Sequence, residues 1–421
     1  MKEIFIIDDT LSNKISYYHI LVFLAALPFD RFYSEVALIS WLLHELTHLD
    51  KFKLSRIRMP MMITGLLYLL MLISTIYSPD KEQSFKNLQK ELGLVIFPFL
   101  FSVTDLDLVK YRNRLLKAFT LTCIITVAYL YTDALRIINY NKLPLSQLMS
   151  TSFINQNFSL PLHMHATILS MYITLCAAYI LDCFIRTAKT WRRLLYAMTL
   201  IFLLAAIIQL SSKAVFITTL ILINVVFPLL VLKKQSRWKF MLISSLISFL
   251  VIAGITQVPT LKNRYIAGSK NDLTAVSIQN DQLEPRLLRW RYALELAEKS
   301  PLIGYGNGTE IRLLKEKYFE NRLFNSYLHE LNAHNQYLGY LLRMGIIGLG
   351  IYMMILYTGL KKAILASDLV FCAFMMTIAI ISFSDDILDV NKGIFFFCFY
   401  YCFFLKTNLN DNGSVFAFAA Y

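Results

Sequence analysis

Three arginines, Arg286, Arg289 and Arg291, fall within six positions of one another, and His334 with Asn335 stands where a later apolar run begins. Guanidinium groups grip phosphate through a planar fork, a helix start offers free N–H groups to anions, and histidine moves protons near neutrality. Together these residue types describe a diphosphate site beside a base. The same arginines also suit anchoring at a membrane surface, with His334 an interfacial residue. Lys213, in the tight stretch Gln209-Leu210-Ser211-Ser212-Lys213, is either a second cation for the same headgroup or a snorkelling end cap. Arg343 follows His334 by nine residues, roughly 13 Å along a helix at 1.5 Å per residue. A charge so far into an apolar run has to face a cavity or a carboxylate, and Asp385 is the expected partner.

Other patterns compete with this set. In His44-Glu45-Leu46-Thr47-His48 a helix would place both imidazoles on one face with glutamate as base, the HExxH arrangement of zinc sites. No distant segment offers an evident third ligand, a polar helix end is the simpler reading, and no metal is expected. His163 and His165 open an apolar run after Asn155-Gln156-Asn157 and are expected to cap it rather than line a cavity. Gly304, Gly306 and Gly308 are a weak phosphate-loop signal, because glycines serve any tight connection. Cys123, Cys176, Cys183, Cys372, Cys398 and Cys402 all lie in apolar segments without a CxxC pair, which predicts neither disulfides nor a thiolate metal site.

The elements that must position these residues are membrane spans. Hydrophobic residues make up 57% of the 421 positions, charged residues only 16%, and mean hydropathy is +0.54. Apolar runs near the 20 or so residues of a spanning helix recur near 14 to 29, 33 to 49, 60 to 78, 89 to 104, 115 to 135, 161 to 182, 193 to 210, 214 to 232, 238 to 257, 334 to 358, 363 to 383 and 393 to 406. The second, fourth and twelfth are the weakest, the last two being short enough to be tilted or re-entrant. The fold class is therefore all-α, a polytopic membrane protein of about twelve spans. The net charge of +13 is distributed in short clusters between these runs rather than on one basic face, so it reports topology and not nucleic-acid binding. Basic residues concentrate at Lys51, Lys53, Arg56 and Arg58, at Lys110, Arg112, Arg114 and Lys117, at Arg186, Lys189, Arg192 and Arg193, at Lys233, Lys234, Arg237 and Lys239, and at Lys361 and Lys362. The intervening junctions are sparser. The positive-inside rule then sets both termini in the cytoplasm and turns the long 258–333 loop outward. The start, Met-Lys-Glu-Ile, has no short apolar stretch with a small-residue cleavage site after it, and no removable signal peptide is expected. The organisation read here is 1–257 as nine spans, 258–333 as a catalytic loop, and 334–421 as three spans and a tail. Within the loop, Leu287, Trp290, Leu294 and Ala297 fall at helical spacing over Arg286 to Lys299, and a second helical stretch is expected from about Thr309 to Leu331. Both are expected to lie over the membrane mouth.

The loop's wording is specific: Arg286-Leu-Leu-Arg-Trp290, Ser300-Pro301-Leu-Ile-Gly304-Tyr-Gly306-Asn-Gly308, Ala333-His334-Asn335-Gln-Tyr-Leu338 and Met344-Gly345-Ile-Ile-Gly348. It resembles the O-antigen ligase and polymerase family over roughly residues 286 to 350. The twelve-span layout and the stretch from Asp385 through Gly393-Ile-Phe-Phe-Phe are similar to some members too, while residues 1 to 200 match in hydropathy only. The resemblance implies a metal-independent, cofactor-free glycosyltransferase of the bacterial inner membrane that takes a glycan from an undecaprenyl diphosphate carrier at the periplasmic face. The family's diphosphate-binding arginine falls on Arg286 and its loop-end histidine on His334. The arginine that follows serine at the eighth span falls on Lys213, a departure that keeps the charge and loses the fork.

The resemblance implies that Arg286 and Lys213 hold the diphosphate and that His334 orients or deprotonates an acceptor hydroxyl; Arg289 and Arg291 on the same helix, with Asn335 and Arg343, are further candidates for substrate binding. The partners so implied are the lipid-linked donor, a lipid A-core or other hydroxyl acceptor, and membrane lipids. A ligase, a polymerase and a protein O-oligosaccharyltransferase all fit; a lipid-linked glycan transporter and an intramembrane zinc protease are the readings from other classes.

Overall fold

The computed structural model describes residues 2–50, 59–272 and 285–408. The basic cluster Lys51, Lys53, Arg56 and Arg58, the loop stretch 273–284 and the tail 409–421 lie outside the described residues. Regular structure among the described residues is entirely helical, as lipid demands of an open chain, because a helix pairs its backbone N–H and C=O groups within its own segment.

A helix occupies each of the twelve expected positions. These are α1 (Leu11–Ala26), α2 (Arg31–Thr47), α3 (Met59–Tyr77), α5 (Gly93–Val103), α6 (Leu108–Tyr140), α7 (Ala166–Arg186), α8 (Thr190–Leu210), α9 (Lys213–Val231), α10 (Lys234–Gln257), α13 (Gln336–Leu365), α14 (Leu369–Ile381) and α15 (Asn391–Thr407). Between α3 and α5 lies the polar α4 (Lys81–Lys90), and the loop holds α11 (Arg286–Ala297) and α12 (Glu310–Glu320). Among the described residues seven helices, α3, α6 to α10 and α13, are long and apolar enough to cross a membrane. The other five of the twelve are shorter, at 11 to 17 residues. Side-chain caps set several starts: Thr10, Asp30, Asp80, Asp107 and Asp368 each accept an N–H from their own first turn.

The helix ends fall into two groups. At one end Asp9 meets Lys110 and Tyr111, Arg112 pairs with Asp368 at 2.5 Å, and Asn408 donates to the same Asp368 at 2.8 Å. The opposite end collects α4, the start of α7, the loop helices and the turn before α15. Burial shows why the short α15 is a helix at all. It is apolar around its whole circumference, carries Phe395, Phe396, Phe397, Phe399, Tyr400, Tyr401, Phe403 and Phe404 at 7% exposure or less, and packs against α3, α5, α6, α7, α13 and α14. A helix without a polar face belongs inside a bundle.

Two details of the loop differ from expectation. The buried face of α11 is Leu288, Arg289, Ala293, Leu296 and Ala297, while Leu287 and Leu294 are exposed. The guanidinium of Arg289 reaches inward to the Asn332 carbonyl, which rotates the apolar stripe by about one position. The second helical stretch ends at Glu320, because Arg322 turns left-handed (φ 59°) and Leu323 closes the helix onto the Tyr318 carbonyl and is buried. A short helix, Phe324–Leu328, follows.

The loop is stitched into a break in α13. Gly345 has φ 63°, and the chain there abandons helical geometry. The carbonyls this exposes are taken up by loop amides: Tyr305 N–H donates to Leu342 at 2.9 Å and Gly306 N–H to Arg343 at 3.0 Å, and Ile346 N–H donates to Pro301 at 2.8 Å. A Cβ on Gly345 would lie 2.2 Å from the Leu302 carbonyl oxygen, and one on Gly304 2.5 Å from that of Leu342. The Pro-x-x-Gly-x-Gly turn and the Met-Gly step are thus two halves of one contact. Below it, Asn307 is clasped by Ser78 and Ser84, which fixes α4 to the loop.

Candidate functional site

Where the loop meets α4, α7, α13 and the 382–390 turn, a cavity of about 290 Å³ opens, lined by His334, Asp385, His165, Glu310, Asp386, Asp389 and Arg343, with Gln83, Asn87 and Lys90 of α4. His334 ends the loop one residue before the cap of α13. Its backbone is left-handed (φ 48°), a conformation that a non-glycine residue keeps only where its surroundings hold it and that recurs at functional sites. The holding groups are explicit. Trp290 Nε1–H donates to the Ala333 carbonyl at 2.9 Å, Arg289 donates to that of Asn332 at 3.4 Å, and the Asn332 side chain accepts the His334 N–H at 3.1 Å.

Facing His334 is Asp385. Its Oδ1 lies 3.7 Å from His334 Nδ1 and its Oδ2 lies 3.9 Å from His165 Nδ1, so one carboxylate stands between two imidazoles. Arg286 donates to the carbonyl of the adjacent Ser384 at 2.7 Å. Burial would raise the Asp385 carboxyl, but the approach of His334 and the charges of His165 and Arg286 outweigh it and hold the group below its ordinary value. Asp385 therefore stays a carboxylate near neutrality, able to fix an imidazole tautomer and to stabilise its protonated form. His165 stands one residue outside the span Ala166–Arg186. Burial keeps its imidazole below the usual value, opposed by Asp385 and reinforced by His334, Arg286 and Arg264.

His165 does not cap α7, contrary to expectation: its side chain makes no cap bond, and Gln156 Oε1 instead accepts the Ala166 N–H at 3.1 Å. His163, the other candidate cap, is exposed in a left-handed turn. Asp385 is likewise not the partner of Arg343. That guanidinium, 1% exposed, is enclosed by Asp389 at 3.1 Å, Glu91 at 3.4 Å and Glu310 at 3.7 Å. Glu310 also accepts the Ala333 N–H at 3.2 Å, so the buried charge cluster ties the kinked span to the backbone beside His334. Burial raises the Glu310 carboxyl to about 7 against the pull of Arg343.

The remaining expected residues fall away from the cavity. Asn335 caps α13, accepting from Tyr337 and Leu338 N–H. Arg289 serves as the tether described above, and Arg291 pairs with Glu295 at 3.0 Å on the exposed face of α11. Lys213 opens α9 with its ammonium against Gly268. Beside it, Ser212 bonds to Thr167 at 3.4 Å and Arg264 to the Ser211 carbonyl at 3.4 Å, which brings this cationic turn alongside the start of α7 and His165. In the HExxH segment, Glu45 is consumed by Ser16 (2.7 Å) and Trp41 (3.1 Å), a tie between α1 and α2. Among the described residues no group of three or more His, Cys, Asp or Glu is placed to hold a metal.

Residues missed from the sequence are Asp386, Asp389, Glu310 and Glu91, together with Gln83, Asn87 and Lys90. The last three had a legible signal: spacing of four and three places them on one face of α4. The acidic ones stand in no local pattern that sets them apart.

No curated protein matches the chain. Residues 198–353 match the family model described as O-antigen ligase, a range that begins within α8, takes in the loop and ends within α13. The matched segment carries Lys213, Arg286, His334 and the Gly345 break, and over it the chain is similar to the family whose motifs the loop resembles.

Proposed function

We propose that this protein transfers a glycan from undecaprenyl diphosphate to an acceptor hydroxyl at the periplasmic face of the bacterial inner membrane, without a metal or other cofactor. The observation that carries the reading is the Asp385–His334 pair, held in a strained backbone at a polar cavity with Arg286 beside it. The acceptor oxygen attacks the anomeric carbon, the bond from that carbon to the diphosphate oxygen breaks, and the hydroxyl proton passes to His334. Asp385 stabilises the resulting imidazolium. Arg286, with Lys213 and Arg264 on the flanking turn, offsets charge gathering on the leaving diphosphate. An apolar groove of about 360 Å³ among α7 to α10, with Leu204, Ile208, Phe216, Leu220, Phe240 and Ile247 in its wall, suits a polyprenyl chain.

A lipid A-core acceptor makes the protein a ligase, a growing glycan makes it a polymerase, and a protein hydroxyl makes it an O-oligosaccharyltransferase. With purified, reconstituted protein and a lipid-linked glycan, Arg286→Ala and His334→Ala should each lower transfer by about 10²-fold or more. Unchanged transfer by both variants, correctly inserted, overturns the assignment.

A further inference from the structure

The cavity and its cationic neighbours differ in chemistry. Arg286, Arg264 and Lys213 lie outside the cavity lining, and His334, Asp385 and His165 form part of it. The lining itself carries Glu310, Asp385, Asp386 and Asp389 against Lys90 and Arg343, and Arg343 is already enclosed by carboxylates. An anionic ligand entering that space meets four acidic side chains and a guanidinium that carboxylates already enclose.

Asp386 adds an independent observation. It is 4% exposed, it lines the cavity, and neither side-chain oxygen has a hydrogen-bond partner among the described residues. A buried carboxyl in that condition is costly unless a ligand supplies a partner. Opposite, Gln83 Nε2 donates to Asn87 Oδ1 at 2.9 Å and Asn87 donates to Asn307 Oδ1 at 3.2 Å, so the amide face of α4 is fixed to the loop before anything binds. Carboxyl groups and amides in fixed positions match ring hydroxyls, which both donate and accept.

We propose that the part of the cavity bounded by Asp386, Asp389, Glu310 and the Gln83–Asn87 face of α4 is a subsite for an uncharged sugar ring of the acceptor, so that the protein selects neutral over phosphorylated or uronic acid acceptors. This rests on reading the site as one of glycosyl transfer, and it names the acceptor chemistry that reading leaves open.

The test uses the full chain in nanodiscs and saturation-transfer NMR with methyl glucoside, methyl galactoside and N-acetylglucosamine as neutral probes, and glucuronate and glucose 6-phosphate as anionic ones. Neutral probes should bind about tenfold more tightly than anionic ones, and Asp386→Asn or, should that variant fold poorly, Gln83→Ala should weaken them by a similar factor. Arg286→Ala should leave this binding in place. Anionic probes binding as well as neutral ones, or neutral binding indifferent to both subsite variants, overturns the proposal. With lipid-linked donor present, a bound neutral glycoside that becomes glycosylated identifies the acceptor's place; one that only competes with the donor overturns that assignment. Loss of transfer reading and loss of subsite separate cleanly: a protein that transfers glycan without binding neutral sugars refutes the subsite alone, and one that binds them without transferring refutes the reaction alone.

Discussion

In the proposed reaction Asp385 is the residue on which the chemistry turns. Its carboxylate faces both imidazoles, and its suppressed protonation means that titration of this group does not limit activity between mildly acidic and neutral pH. Asp385→Asn keeps the shape and removes the charge, so transfer should fall by about 10²-fold at every pH tested rather than shift along the pH axis. His165→Ala should lose less, because His165 acts through Asp385 in this arrangement. A variant Asp385→Asn with full activity would leave His334 without its orienting partner and contradict the scheme. Arg286 and His334 were legible because they stand in motifs. Asp385 was legible only as a charge, since its partners His165 and His334 lie far from it in sequence, and no local pattern reports such a meeting. The pairing expected between Arg343 and Asp385 failed for the same reason, as Asp389, four residues on, and Glu91 and Glu310 from other elements are nearer.

At the scale of the element, the broken helix α13 and the loop turn are one unit, and the charge cluster around Arg343 is its buttress. Gly345→Ala drives a Cβ into the Leu302 carbonyl and forces an L residue into a left-handed conformation, which should cost on the order of 1–3 kcal/mol from backbone strain alone. A lowered unfolding midpoint in detergent, with transfer lost as His334 shifts, is the expected result. Glu310 gives this unit a pH dependence of known sign. Burial raises its carboxyl from 4.5 to about 7, so the folded state holds a proton that the unfolded state gives up, and stability from this group falls as pH rises through that window. Glu310→Gln should flatten the decline of the unfolding midpoint with pH. An unaltered slope would show that the proton resides elsewhere. Apolar periodicity foretold these helices, but it misplaced the buried face of α11, where Arg289 overrides the hydrophobic stripe to hold the Asn332 carbonyl.

On the scale of the whole molecule, the helical bundle separates a polar, charge-rich end from an end tied together by Asp9, Arg112, Asp368 and Asn408. Hydropathy was enough to foretell an all-helical polytopic chain, because lipid leaves a chain few alternatives to spanning helices. It could not say that the aromatic α15 is the centre of the bundle, which depends on what surrounds it. The central claim is that the polar end moves glycan from a polyprenyl diphosphate through His334. Its most direct test is the pool of undecaprenyl-diphosphate-linked glycan and of mature surface polysaccharide in cells lacking this chain, complemented with wild type or His334→Ala. Carrier-linked glycan that accumulates without the chain, clears with wild type and persists with His334→Ala is the predicted result, as long polymer for a ligase or single units for a polymerase. Pools that do not change on deletion, or that His334→Ala clears as wild type does, would contradict it.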